Sequence, residues 1–170
     1  MGGAAVPGQW LLLSYRMPRD PSSPRIAVWR KLKGLGVGQL GDGLVALPAD
    51  PRTREQLEWV AERVVEGGGQ STLWLAHPAS LAQERQIAAA MAAARAIEYA
   101  KVRTDAEAAS AGDAHSRAAA ARRLRDELHR IGRRDFFPPA ERHTARAAVS
   151  ALQEPTGAPD VAYLVAETSS

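Results

Sequence analysis

Cationic side chains crowd the segment that follows the first apolar run of the chain. A proline-bracketed turn leads into a helical stretch, and the two carry Arg16, Arg19, Arg25, Arg30, Lys31 and Lys33. Guanidinium groups bind phosphate or another oxyanion through paired hydrogen bonds. Along a duplex, such contacts give salt-dependent affinity without sequence preference. The pattern therefore predicts a surface for nucleic-acid phosphates or a small anion, although an ordinary solvated basic helix face has the same appearance.

Four further residues form a candidate interface: Trp29, Trp59, Arg133 and Arg134. Trp29 lies at the edge of the apolar face of its helix, and Trp59 lies off the apolar stripe of the next one. Exposed tryptophans often mark interfaces, but partial burial under the C-terminal helices is the alternative. The two arginines precede an aromatic pair, so they either extend a basic surface, brace the chain there or compensate a helix dipole.

Catalytic chemistry is not predicted. The chain has no cysteine, which excludes thiolate nucleophiles and disulfides. The four histidines form no pair at helical i, i+4 spacing, and neither a Walker loop nor a Ser elbow is present. Asp20 and Asp42 could hold a metal, yet Asp42 between two glycines is most simply a turn residue. We therefore expect a non-catalytic protein without cofactor or metal.

The composition is that of one globular domain. The formal net charge is +3 and 45% of residues are hydrophobic, which permits a polyanionic partner without requiring one. No stretch approaches the roughly twenty apolar residues that span a bilayer, and the start of the chain lacks the features of a signal peptide. The absence of cysteine fits a reducing compartment. A cytoplasmic protein without membrane contact is the expectation.

The order of elements in the first half predicts the fold. An apolar strand at 9–16 feeds the basic helix, which Ser22 or Ser23 could cap and which Gly34 and Gly36 end. A hairpin around Asp42, a helix capped by Asp50 and a strand at 71–76 follow. Strand, helix, strand, strand, helix, strand is the ferredoxin-like split βαβ arrangement of an α+β protein. Because both faces of the first strand are apolar, it should be central.

The second half is predicted to be a helical hairpin or bundle. One helix runs from Ser80 to about Thr104, a connection covers 105–114, and Asp113 could cap the next helix. An aromatic hinge at 136–139 precedes a third helix. The predicted domains are a flexible arm at 1–8, the ferredoxin-like module at 9–78, a helical extension at 79–155 that packs on it, and a tail at 156–170. An apolar run at 161–165 in that tail could form an edge strand.

Several unusual segments resemble, in order and spacing, the N-terminal domain of the chromate-resistance regulator family ChrB. They are WLLLSYRMPR at 10–19, SPR at 23–25, VWRKLK at 28–33, LP at 47–48, PRTREQ at 51–56 and RDFFP at 134–138. The resemblance runs from about residue 9 to about 153. It implies a chromate-responsive transcriptional regulator, or its N-terminal module, that binds DNA phosphates through the basic turn and helix.

The resemblance also extends to the ferredoxin-like modules of small CRISPR-associated nucleases and phenylacetate-type repressors, which implies a homodimer. Those nucleases are expected to use an acid at the end of the first strand, where this chain has Ser14, Tyr15 and Arg16. The alternative to a DNA-binding regulator is a small oxyanion-binding or protein-interaction module. A divergent metal-dependent nuclease is the third hypothesis. Full-length members of the ChrB family carry a second domain, so the resemblance leaves open whether this segment or another domain or chain senses chromate.

Overall fold

The computed structural model describes residues 8–153, and these form one four-stranded antiparallel sheet and five helices. In chain order the elements are β1 (Trp10–Arg16), α1 (Ser22–Leu35), β2 (Gly38–Gly41), β3 (Leu44–Pro48), α2 (Pro51–Glu66), β4 (Gln70–Ala76), α3 (Leu81–Ala109), α4 (Ala114–Gly132) and α5 (Glu141–Ala151). The strand order β2-β3-β1-β4 is that of a ferredoxin-like sheet. The predicted α+β class, with a helical region after the sheet, is confirmed.

β1 is the central strand, as its two apolar faces predicted. Leu11 lies opposite Leu47 of β3 and Leu75 of β4 in the antiparallel register. Successive side chains of a strand point to opposite faces, so Leu11 and Leu13 face one way and Trp10 faces the other. The Leu11 face forms a core with α1 and α2, built from Leu11, Leu13, Val45, Leu47, Val28, Leu32, Leu57, Val60 and Val64.

The opposite face of the sheet is covered in part by the helical extension. A Cβ atom on Gly38 of β2 would lie 3.2 Å from Met91 and 3.3 Å from Ile87, so α3 packs directly on this strand. Trp10 stacks on Phe137 with ring centroids 5.8 Å apart, and its indole Nε1 donates to Glu84 Oε1 at 3.0 Å. The start of β1 is therefore buried on both sides.

Three of the predicted helix starts are confirmed by their caps. Asp50 accepts from Thr53 N at 2.7 Å in a reciprocal capping box, and Ser80 accepts from Gln83 N at 3.3 Å. Asp113 accepts from Ser116 N at 2.7 Å. The predicted serine cap of α1 is wrong: Ser22 is already helical, because the extended backbone of Pro21 immediately precedes the helix and no side chain caps it.

α3 is longer than predicted. It continues past Thr104 to Ala109, so only 110–113 connect it to α4. The ion pairs Lys101–Asp105 and Arg103–Glu107, at i, i+4 spacing, support this last part, and alanine is the strongest helix former. The extension has a core of its own, made of Tyr99, Val102, Ala106, Ala121, Leu124, Ile131, Ala145, Val149 and Leu152.

The predicted arm, apart from Gly8, and the apolar run at 161–165 lie outside the described residues. Among the helices of residues 8–153, none combines the length and hydropathy that a bilayer crossing needs.

Gly36 provides a test of how α1 is joined to the extension. It ends α1 with φ +73°, and a Cβ there would lie 2.7 Å from both the Arg134 carbonyl oxygen and Arg95 Nη1. We expect Gly36→Ala to lower the free energy of unfolding by about 2 kcal/mol, because a left-handed conformation is strained for alanine and the carbonyl obstructs the methyl group. Urea denaturation followed by circular dichroism measures this.

Gly34→Ala is the matched control, since a Cβ at Gly34 would meet nothing within 4 Å. This residue lies within α1, so alanine should stabilise the protein by about 0.5–1 kcal/mol. Equal effects of the two substitutions would contradict the assigned role of Gly36.

Candidate anion-binding surface

α1 presents its cations on more than one side. Arg25, Trp29 and Lys33 follow one another at i, i+4 and i+8, so they form a stripe along one flank. Arg30 and Lys31 lie toward α2. All four cations of α1 are exposed, the helix contains no acid, and within residues 8–153 none of these cations forms an ion pair.

A first concavity, the strand-end concavity, lies where β1 ends. Arg16, Arg25, Trp29 and Asp42 line it, and its volume is about 790 Å³. Asp42 belongs to the tight β2–β3 turn, where Gly43 has φ +70°. Burial, and secondarily the charge of Asp42, raises the pKa of Tyr15 beside it. Two arginines and one acid thus share an open site that begins at the end of β1.

A second concavity, the α1–α2 groove, separates the two helices that cover the sheet. It has a volume of about 640 Å³ and is lined by Arg30, Lys31, Trp59 and Arg63, among others. The Trp59 ring contacts two cations, with its centroid 4.5 Å from Lys31 Nζ and 4.8 Å from Arg63 Cζ. Cation–π contact holds both charges beside the ring, and Arg63 also pairs with Glu66 at 3.1 Å.

The six cations predicted as one surface are therefore divided. Arg16 and Arg25 line the strand-end concavity, whereas Arg30 and Lys31 line the α1–α2 groove. Lys33 Nζ lies 4.7 Å from the centroid of the Trp29 ring. Arg19 is exposed in the turn and lines neither concavity. Sequence reasoning missed Arg63, although its i+4 spacing from Trp59 was visible.

Trp29 and Trp59 are exposed to 51% and 43%, respectively. The alternative prediction, burial under the C-terminal helices, is wrong because α3 packs against the other face of the sheet. Trp74 on β4 is also 54% exposed, and its Nε1 donates to Ser14 Oγ at 3.0 Å. The sequence predicts no role for Trp74, because its position indicates only a residue of a β-strand.

Arg133 and Arg134 differ in their environments. The Arg133 side chain is exposed, while its carbonyl accepts from Arg52 Nη1 at 3.1 Å. Arg134 is half-buried and pairs with Glu98 at 2.8 Å. The sequence left open whether these arginines extend a basic surface or brace the chain. The ion pair of Arg134 is that of a brace within the molecule, whereas the exposed side chain of Arg133 is available to a partner.

Arg134 belongs to a polar cluster at the junction of the sheet module and the extension. We call it the junction cluster and define it as Arg95, Glu98, Tyr99, Arg134 and Asp135. Glu98 accepts from Arg95 at 3.0 Å and from Arg134 at 2.8 Å. The fully buried Asp135 side chain accepts from the Tyr99 hydroxyl at 2.8 Å. Burial lowers the pKa of Arg95 despite the opposing effect of Glu98.

The described part of the chain contains no group of acidic and histidine side chains that suggests a metal site. Within residues 8–153, no three His, Asp or Glu side chains are grouped closely enough to hold an ion. Asp42 lies in the strand-end concavity, and Asp20 is exposed in the turn before α1.

Comparison with known proteins identifies the family. A model of the family described as "Protein ChrB, N-terminal" matches residues 25–158, which is most of the chain. The chain belongs to this family. The resemblance noted from its sequence is thereby confirmed, although the matched region begins within α1 and leaves β1 outside.

A curated relative agrees with this assignment. Protein ChrB of Cupriavidus metallidurans is 31% identical over 133 residues, which make up 76% of this chain and 40% of that protein. The chain thus spans less than half the length of this ChrB relative. No solved structure matches the chain significantly.

Tyr99 makes the junction cluster testable by pH. Burial and the hydrogen bond to Asp135 raise its pKa from 10.0 to about 12. Above pH 10 the Tyr99 phenol loses its proton in the unfolded chain but keeps it in the folded protein. Its contribution to the free energy of unfolding is therefore complete below pH 10 and is lost as the pH rises to 12. It corresponds to about 2–3 kcal/mol of unfolding free energy.

Chemical denaturation of wild type and Tyr99→Phe, at a pH below 10 and near 12, measures this contribution. The wild type should lose more stability than the variant, because lysine and arginine titration is common to both. Identical losses in the two proteins would show that Tyr99 keeps no raised pKa.

Proposed function

We propose that this chain is the N-terminal module of a chromate-responsive transcriptional regulator, and that it binds DNA phosphates through the basic turn and α1 without catalysing a reaction. Membership of the ChrB family supports the connection with chromate resistance. One observation carries the DNA contact: α1 has four exposed cations, no acid and, within residues 8–153, no ion pair. Cations without acidic partners in the protein can replace the counter-ions of a duplex.

The dimensions of α1 suit a duplex. Arg25 and Lys33 are eight residues apart, which is about 12 Å along a helix. The major groove of B-form DNA is about 12 Å wide, so the two ends of this stripe can reach phosphates on either side of it. Arg16 and Arg19 extend the cationic surface beyond the N-terminus of the helix.

Trp29 and Trp59 restrict the conformations of two lysine side chains on this surface. Lys33 and Lys31 have long flexible stems, and ring contacts at 4.7 Å and 4.5 Å restrict them. Cation–π contact at exposed sites contributes about 0.5–1 kcal/mol, which is enough to bias the rotamers of a lysine before it meets a phosphate. A surface preorganised in this way loses less side-chain entropy on binding.

A homodimer is part of the proposal. Dimeric regulators bind two half-sites, and a twofold interface uses one patch on both copies. The outer edge of β4 has no strand partner within residues 8–153, and Trp74 and Leu75 of this strand are 54% and 55% exposed. An edge strand with exposed apolar side chains is a surface on which a second copy can pair.

Salt-dependent DNA binding tests the surface. For Arg30→Ala/Lys33→Ala, we expect weaker binding to duplex DNA from upstream of the gene and a log–log salt slope flatter by about 2, because two phosphate contacts are lost. Fluorescence anisotropy over a series of salt concentrations gives the slope, and its stoichiometry shows whether two chains bind per duplex.

Arg85→Ala/Arg123→Ala is the matched control, since it removes the same charge from exposed sites on α3 and α4. The control should keep the wild-type slope. If both double variants flatten it equally, general charge and not α1 accounts for the affinity; if neither does, α1 is not the DNA surface.

A second candidate function is oxyanion binding in the strand-end concavity. The observation in its favour is that Arg16 and Arg25 line the same site. Calorimetry with chromate, and with sulfate as control, should then show binding of chromate that Arg25→Gln weakens at least about tenfold. DNA affinity without chromate binding would reject this candidate and leave the DNA-binding proposal standing.

A further inference from the structure

A third concavity lies between α4 and α5, away from the surfaces described above. It has a volume of about 550 Å³, and we call it the α4–α5 groove. Its charged or titratable lining residues are all basic: Arg125, His129, Arg133, Arg142 and Arg146. Arg125, His129 and the C-cap residue Arg133 follow i, i+4 spacing along α4, as Arg142 and Arg146 do on α5. Each helix thus contributes one row of basic side chains to the lining.

Little negative charge offsets these cations. Within residues 8–153, Arg125, Arg133 and Arg146 take part in no ion pair. The neighbouring Glu127 pairs with Arg130, which is not a lining residue. A concave surface lined by one sign of charge focuses its field and concentrates counter-ions. Three of the four arginines that line the groove are therefore cations without an acidic partner among the described residues.

One guanidinium in the groove is held by the junction cluster. The Arg142 side chain is 27% exposed, and its Nη1 lies 3.7 Å from Oδ2 of the fully buried Asp135. The same Oδ2 accepts from Tyr99 at 2.8 Å, so the carboxylate that faces Arg142 is itself fixed. The buried Nε of Arg142 has no partner within the described residues. A binding group supported in this way is preorganised.

The rest of the lining is apolar or small, which bears on the size and type of ligand. Leu128, Gly132 and Val149 also line the groove. The volume of about 550 Å³ is within the usual range of small-molecule sites, and a single tetrahedral oxyanion would fill only a small part of it. Arginine forks bind phosphate groups, while the apolar lining suits an organic moiety.

We propose that the α4–α5 groove binds a small phosphorylated organic molecule of about nucleotide size, with Arg125, Arg142 and Arg146 on its phosphates. This inference is independent of the proposed DNA surface, because the groove shares no residue with α1, the strand-end concavity or the α1–α2 groove.

Calorimetry of the full chain with ATP tests the groove, with sulfate as a control for simple anion binding. We expect ATP to bind, and Arg125→Gln/Arg146→Gln to weaken it at least about tenfold, because charge-assisted hydrogen bonds are lost. Both residues are exposed, so the variant should fold. Arg85→Gln/Arg123→Gln removes the same charge elsewhere and should leave the affinity within about twofold of wild type.

Three results would overturn the proposal: no ATP binding at millimolar concentration, equal weakening by both double variants, or sulfate binding as tightly as ATP. The same two variants are assayed with duplex DNA. If the groove variant loses DNA affinity and wild type binds no ATP, the groove belongs to a DNA surface and the small-molecule assignment is wrong. Unchanged DNA affinity beside weakened ATP binding supports the assignment and leaves the test of α1 unaffected.

Discussion

The fold depends on the requirement to cover β1 on both of its faces. This strand pairs on both sides, with β3 and β4, so its backbone is satisfied within the sheet. Its side chains are apolar in both directions, and neither face can be left in water without cost. α1 and α2 cover the face of Leu11 and Leu13. The sheet alone cannot cover Trp10 on the other face, which explains why the extension packs there with Phe137 and α3.

Attachment of the extension needs more than apolar contact. The end of α1 meets Arg95 and Arg134 at Gly36, where a larger residue would collide with a backbone oxygen. Glu98 joins these two arginines, and Asp135 ties Tyr99 to the segment before α5. Charges that are removed from water must be paired and hydrogen-bonded, so this junction tolerates few geometries. The cluster therefore fixes the extension in one position relative to the sheet.

Fixing the extension leaves the cationic surfaces free. Because α3 takes the second face of the sheet, α1 and the outer side of α2 remain exposed, and with them Trp29 and Trp59. The arginines that serve the junction are half-buried or buried, whereas those of α1 and most of those in the α4–α5 groove are exposed. Arginine thus has two roles in this protein: it braces the junction through Glu98 and the buried Asp135, and it supplies unpaired charge at the surface.

The sequence by itself determined the elements and their order. The apolar run of β1, the Asp50 and Asp113 caps and the Gly36 stop depend on neighbours within a few residues, and they led to a ferredoxin-like module. The resemblance of several short segments led to the ChrB family. Local patterns were less reliable at the start of α1 and at the end of α3, where competing cap positions and strong helix formers leave the boundary open. Only the tertiary structure decided which cations share a concavity, which tryptophans stay in water and that Asp135 is buried. These properties depend on which distant elements cover a given face. Helical or strand periodicity shows that a face is apolar or charged, but it does not show what packs against that face.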